Sequence, residues 1–245
     1  MEQDVVPVKL IATGIPGLDE MFGGGMIKGS VLSLIGETGT GRTMFSFQFL
    51  HQGLLDGEKG LYISLFNPVE QLIAKFLTRY PEMNDRIDKD IFFVQLSPEN
   101  LLTFSDLIGN GVAAMIMELK ISRVVVNPFS MLEDLLTTPS GFRSTDLNQV
   151  YMSFRSTGAT TLLNVYASSS YPLHSKYGYS EIFADVVACM FREFPEHDFM
   201  KSYRMLFVIL KTRGLLVKTA KLVKYDATGL FTLYSPTKSV PETDL

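Results

Sequence analysis

The stretch "GETGTGRT", Gly36 to Thr43, holds the residue types whose spacing could do chemistry. Gly36, four intervening residues, Gly41, one further residue and the hydroxyl of Thr43 reproduce the spacing of a phosphate-binding loop. Glycine at Gly36, Gly39 and Gly41 permits positive φ and a close approach of backbone to ligand. The N–H groups across Gly36, Glu37, Thr38, Gly39, Thr40, Gly41, Arg42 and Thr43 can then cradle phosphate oxygens where a helix begins. That cradle is backbone, so it survives a change of side chain at residue 42. The motif gives that position to lysine, and this chain has Arg42. Arginine keeps the charge, but its planar fork is wider than an ammonium and aims its donors differently. Arg42 is therefore expected to admit a phosphate or nucleotide with poor geometry for a transition state, or else to turn outward to solvent. The plain alternative is a glycine-rich strand-to-helix turn that holds nothing.

Such a loop needs a strand ending at Gly36 and a helix opening at its far side. "SVLSLIG" reads as that buried strand and "TMFSFQFLHQGLLDG" as the helix, stopped by Gly57. "GLYISLF", "IFFVQL", "SRVVVNPF" and "TTLLNVY" read as further strands. Between them "PVEQLIAKFLTRY", "FSDLIGNGVAAMIMELK" and "STDLNQVYMSFRST" read as helices, the first opened by Pro68. This alternation predicts a parallel sheet with right-handed crossovers. From residue 184 on the character changes. "ADVVACMFREF", "YRMLFVILKTR", "LVKTAKLVKYD" and "GLFTLYS" read as successive strands that extend the sheet in antiparallel hairpins. The expected fold class is thus α/β, three layers around a mostly parallel sheet, in one domain spanning 1–245 with a mobile polar tail over 236–245.

Composition narrows the function classes. With 245 residues, 46% of them hydrophobic, the chain can bury a full core, and a mean hydropathy of +0.17 fits strands apolar on both faces. A net charge of −4 provides no global basic field, which disfavours nucleic acid as a partner. The lone cysteine, Cys189, lies in an apolar run and excludes an intrachain disulfide, which fits a reducing cytoplasm. The N-terminus lacks the basic start and apolar core of a signal peptide. The apolar runs stop short of the ~18 residues a membrane span needs. His51, His174 and His197 have no ligand partner at useful spacing, so no histidine metal site is expected.

The segment "ATGIPGLDEMFGGGMIKGSVLSLIGETGTGRT" resembles the opening segment of KaiC-like proteins of the archaeal type, within the RecA superfamily of P-loop ATPases. The likeness continues through "GLYISL", "SRVVVNP", "YGYSEIFADVV" and "LKTRG" in the family's order, over about residues 8 to 235. It implies a RecA-like fold, ATP or ADP as ligand, Thr43 as the hydroxyl on magnesium, and assembly of subunits. Where the family has its loop lysine this chain has Arg42. Where the family's metal-orienting aspartate stands there is Asn127, followed by Pro128. The family's water-polarising glutamate pair is replaced by Phe66 and Asn67, neither of which can act as a general base. Glu70, three residues on, is a substitute only in principle. The resemblance further implies that Lys211 and Arg213 face a neighbouring subunit and reach the phosphates of its nucleotide. Leu215 and Leu216 depart from the small residue and histidine usual after them, and read as covered surface.

The expected function is a binding and regulatory module: a nucleotide cradle with its chemistry dismantled, acting through a homo-oligomer or another protein chain. A nucleotide is allowed rather than required, and magnesium is expected to bind weakly. A slow ATPase using Arg42 and Glu70 is the alternative. A DNA-associated recombinase relative ranks last, although "LTTPSGFRSTD" (with Phe142 and Arg143) and "ASSSYPLHSKYGYS" (with Tyr171, His174 and Lys176) stand where RecA contacts DNA.

Overall fold

Every residue of strand β3 (Val31–Gly36) is buried, because both faces of this strand are covered. Leu32 and Leu34 join one apolar cluster, while Val31 and Ile35 join a second one on the opposite face. The computed structural model describes residues 8–96, 111–136, 144–194, 204–214, 220–225 and 231–234. The polar tail, the "TTPSGFR" segment, His197 and the Leu215–Leu216 pair lie outside them, as does the first part of the expected helix, "FSDLIGN".

Two short strands, β1 (Leu10–Ile11) and β2 (Met26–Ile27), form an antiparallel ribbon around helix α1 (Leu18–Met21). From β3 the chain alternates through α2 (Arg42–Leu55), β4 (Lys59–Ser64), α3 (Val69–Arg79), a 3-10 turn (Pro81–Arg86) and β5 (Ile91–Gln95). It continues with α4 (Ala113–Glu118), β6 (Ile121–Asn127), α5 (Ser130–Leu136), α6 (Ser144–Ser156) and β7 (Thr160–Tyr166). Helix α7 (Tyr179–Phe183) leads into β8 (Val186–Glu193), β9 (Arg204–Thr212), β10 (Ala220–Tyr225) and β11 (Phe231–Tyr234). Among the described residues these strands form one nine-stranded sheet in the order β11-β10-β9-β8-β3-β7-β6-β4-β5.

The pairs from β5 through β4, β6, β7 and β3 to β8 are all parallel. Only β9, β10 and β11 are antiparallel additions. Strand β8, read from "ADVVACMFREF", pairs antiparallel with β9 as expected, while its neighbour on the other edge is not assigned by the sequence reading. Strand β8 runs parallel to β3, with Leu32 opposite Val186 and Gly36 opposite Met190.

The sheet lies between two helical layers. Phe47 of α2 and Phe76 of α3 meet edge to face at 5.4 Å over Tyr62 and Phe93, with Leu72 beside them in the same cluster. On the other face α4 and α6 bring Ile116, Leu147, Val150, Tyr151 and Phe154. Helix α2 ends where Gly57, at φ +75°, donates its N–H to the Leu54 carbonyl. The parallel strands that position the site are thus fixed from both sides by burial alone. No described helix is long and apolar enough to cross a membrane.

Candidate functional site

The loop Gly36–Thr43 joins β3 to α2 at the C-terminal edge of the parallel strands, where an open α/β sheet leaves its crevice. Gly36 is required by space, since a β-carbon there would lie 2.8 Å from Thr40 Oγ1 and 2.9 Å from the Met190 carbonyl. The loop turns back on itself through Thr40, whose N–H and Oγ1 both donate to the Glu37 carbonyl, at 3.3 and 2.8 Å. Gly39 and Gly41 sit at φ +83° and +90°, conformations that only glycine takes without strain. Gly41 is the N-cap of α2 and supplies no side-chain cap. The first N–H groups of a helix have no partner within it, and together with the helix dipole they favour an anion. They open on a cavity of about 400 Å³ lined by Thr38 to Met44 with Phe66, Asn67, Asn127, Pro128 and Tyr166.

Arg42 does not turn outward to solvent, the alternative orientation expected of it. It turns inward, is only 8% exposed, and donates through Nη1 to the Val165 carbonyl at the end of β7. Its guanidinium carbon lies 5.0 Å from the centre of the Tyr166 ring, a cation–π contact in a desolvated setting. Burial pulls its pKa down to about 10, which Tyr166 and Tyr62 oppose only in part. A second tie joins the same elements. Asn164 Nδ2 donates to Ser46 Oγ at 2.7 Å, and Ser46 Oγ donates to the Arg42 carbonyl at 2.9 Å. The start of α2 is therefore fastened to β7 by a side chain that the phosphate loop would otherwise direct at its ligand.

Beside the loop, Asn127 ends β6 and is joined to Pro128 by a cis peptide bond. Its Nδ2 donates to Tyr62 Oη at 2.6 Å and lies 3.4 Å from Thr43 Oγ1. Burial raises the Tyr62 hydroxyl to about 12, with the Asn127 and Thr43 contacts pulling the other way. A divalent cation on Thr43 would meet an amide nitrogen on that side, and among the described residues lining the cavity there is no carboxylate. This donor set fits the phosphates of a nucleotide well and a magnesium ion poorly. Across the mouth, Phe66 is 67% exposed, and Asn67 is held in a tight turn by Ser64, whose Oγ donates to its carbonyl at 2.7 Å. Glu70 lies exposed on α3 and does not line the cavity.

The structure does not bring Lys211 and Arg213 to this loop within the chain. They lie at the opposite end of the sheet, since Lys211 pairs with Val187 at the start of β8. Lys211 Nζ donates to the carbonyls of Glu181, Ile182 and Ala184 at 2.8, 3.1 and 2.8 Å, capping α7. Desolvation, with Arg213 nearby, lowers its pKa. Arg213 donates to the Ile182 carbonyl at 3.2 Å and lies 3.6 Å from Asp185. In the segment after β7, Lys176 pairs with Asp134 at 2.7 Å.

Two residues at the loop escaped sequence reading. Tyr166 is the wall on which Arg42 rests. Arg192 of β8 donates through Nη2 to the Thr38 carbonyl at the loop tip. Reading β8 as a parallel neighbour of β3 is the signal that would have placed Arg192 there.

The family model described as "ATPase: KaiC" matches residues 11–225. A UPF0273 protein of Pyrococcus horikoshii is 51% identical over 69 residues, covering 27% of this chain and 28% of that protein. The circadian clock protein KaiC3 of Synechocystis is 24% identical over 222 residues, or 87% of this chain and 43% of that protein. The chain thus spans less than half the length of the curated relatives it matches. Among solved structures, a KaiC-like protein of Pyrococcus horikoshii shares the fold with a TM-score of 0.74 at 22% identity, over 93% of this chain and all of that one.

Proposed function

The chain belongs to the KaiC family of ATPases, and from that premise we propose that its loop Gly36–Thr43 holds the phosphates of ATP or ADP but does not turn ATP over efficiently. It acts as a nucleotide-holding module in regulation or assembly, through contacts with other protein chains. The observation that carries this reading is the lining of the cavity. The cavity is lined by the glycine loop and the N-terminus of α2, while Phe66, Asn67 and Asn127 line it beside Thr43 without a general base or a metal-binding carboxylate. The backbone N–H groups at Gly39 and at the start of α2 do the binding, while Thr40 shapes the loop through its two hydrogen bonds to the Glu37 carbonyl. Asn127 and Tyr62 orient the Thr43 hydroxyl. Bound magnesium would supply charge neutralisation on the phosphates, and here its hold rests on Thr43 alone. The recess of Arg42 removes a cation from the place where charge grows in phosphoryl transfer.

The test separates binding from turnover on the purified chain. ATP is expected to bind at equilibrium with hydrolysis at least ~100-fold below that of an intact P-loop ATPase, the scale of losing one well-placed catalytic group. Arg42→Lys alone should not restore turnover, because Asn127, Phe66 and Asn67 remain. Asn127→Asp should raise magnesium affinity. Robust hydrolysis abolished by mutating Arg42 would overturn the reading in favour of a rearranged active site.

A further inference from the structure

The tip of the loop is held from the side away from the cavity. Gly36 is opposite Met190 in the parallel register of β3 and β8, so Arg192, two residues on, stands level with Thr38. Its Nη2 donates to the Thr38 carbonyl. The guanidinium lies so close to the next residue that a β-carbon on Gly39 would be 2.7 Å from Nη2. Among the described residues Arg192 does not line the cavity. The other walls of the cavity, Tyr166 of β7, Asn127 of β6 and Phe66 after β4, stand on the side of β3 opposite to β8.

A trans peptide is planar, so the carbonyl of Thr38 and the N–H of Gly39 point in opposite directions. Holding the Thr38 oxygen toward β8 turns the Gly39 N–H toward β7 and the cavity. We propose that Arg192 is a positioning residue of the anion cradle, fixing the Thr38–Gly39 peptide with its N–H toward a phosphate that Arg192 itself does not touch. The ligand class is a di- or triphosphate chain. Gly39 is set by its positive φ, and a side chain there would push the Arg192 fork off the Thr38 carbonyl. The two loop arginines divide the work. Arg42 anchors the base of the loop to β7, and Arg192 sets its tip from β8.

The inference rests on the reading that this loop binds phosphate, so the experiment has an arm that needs no ligand. Arg192→Gln and Arg192→Lys are prepared in the full chain and compared with the parent by hydrogen exchange over residues 37–43, without ligand. Affinity for ATP and for inorganic tripolyphosphate is measured at two salt concentrations. Arg192→Gln should exchange faster at the loop tip and bind both ligands about tenfold more weakly, the worth of one charge-assisted hydrogen bond. Its salt dependence should parallel that of the parent, and Arg192→Lys should recover part of the loss, since one donor can still reach the Thr38 carbonyl. Unchanged exchange overturns the proposal. So does a shallower salt dependence in Arg192→Gln, which would make Arg192 a direct phosphate contact. If the parent binds neither ligand, the phosphate reading fails by itself, and faster exchange in Arg192→Gln still upholds the positioning role.

Discussion

A guanidinium on a phosphate loop is expected to face its ligand or the solvent, yet Arg42 chooses a carbonyl and an aromatic ring beneath the loop. That choice depends on Val165 and Tyr166, more than 120 residues away in sequence, so no local pattern encodes it. The glycines of the loop, by contrast, were legible one by one, because positive φ and close approach are properties of single residues. Glu133 of α5 is a second residue whose behaviour comes from the assembled fold. It is wholly buried, and burial, reinforced by Glu181 and Asp134, pushes its carboxyl up to about 7 against opposing help from Ser130 and Lys176. A folded-state pKa above the unfolded one means that the fold favours the protonated form. The stability this supplies is complete below about pH 4.5 and is lost as pH rises through about 7. The uncharged Glu133→Gln is therefore expected to gain on the parent by about 3 kcal/mol between about pH 5 and about pH 8. Denaturant unfolding at the two pH values measures it, and an equal difference at both would show that Glu133 does not titrate in this range.

At the scale of elements, the short α5 gave no signal, but apolar runs bounded by turn residues were enough to find β3 to β7 with α2, α3, α4 and α6. The direction of β8 was not, because parallel and antiparallel strands buried on both faces look alike in sequence. What decides it is the crossover through α7, a helix too short to announce itself. The pairing of α2 with β6 was equally hidden. Arg123 at the start of β6 is fully buried, bonded to Glu58 at 2.6 Å, Asp56 at 3.2 Å and the Phe49 carbonyl at 2.9 Å, with its guanidinium carbon 4.9 Å from the Phe49 ring centre. Its side chain crosses α2 at Gly53, where a β-carbon would lie 2.5 Å from Arg123 Cδ and 2.6 Å from Nε. Helix propensity alone makes Gly53→Ala stabilising by about 1 kcal/mol. The crossing reverses the sign, because shifting the buried arginine strains its bonds to Glu58, Asp56 and the Phe49 carbonyl. A loss of about 1–3 kcal/mol is expected. Chemical denaturation decides between the two, and a stabilised Gly53→Ala would show that Arg123 moves aside freely.

For the molecule as a whole, the cavity and the Lys211–Arg213 face lie at opposite ends of the same strands, so no single copy joins them. The Leu215–Leu216 pair, on which covered surface was first expected, lies outside the described residues. Ile182 on α7 is 59% exposed and Leu210, next to Lys211 on β9, is 41% exposed, while the Lys211 ammonium binds the carbonyls that end α7, that of Ile182 included. At the other end, the aromatic ring of Phe66 stands at the mouth of the cavity. Two different faces with exposed apolar groups suit a head-to-tail contact between copies better than a symmetric dimer. We infer a homo-oligomer that uses the Ile182–Lys211 face on one side of each copy. Without efficient turnover it should be static, so light scattering should give the same assembly mass with ATP and without it. Ile182→Glu, a change at an exposed position that leaves the core intact, should release smaller species with unchanged thermal unfolding of the subunit. A parent chain that stays monomeric at every concentration, or an assembly indifferent to Ile182→Glu, would move the contact away from this face.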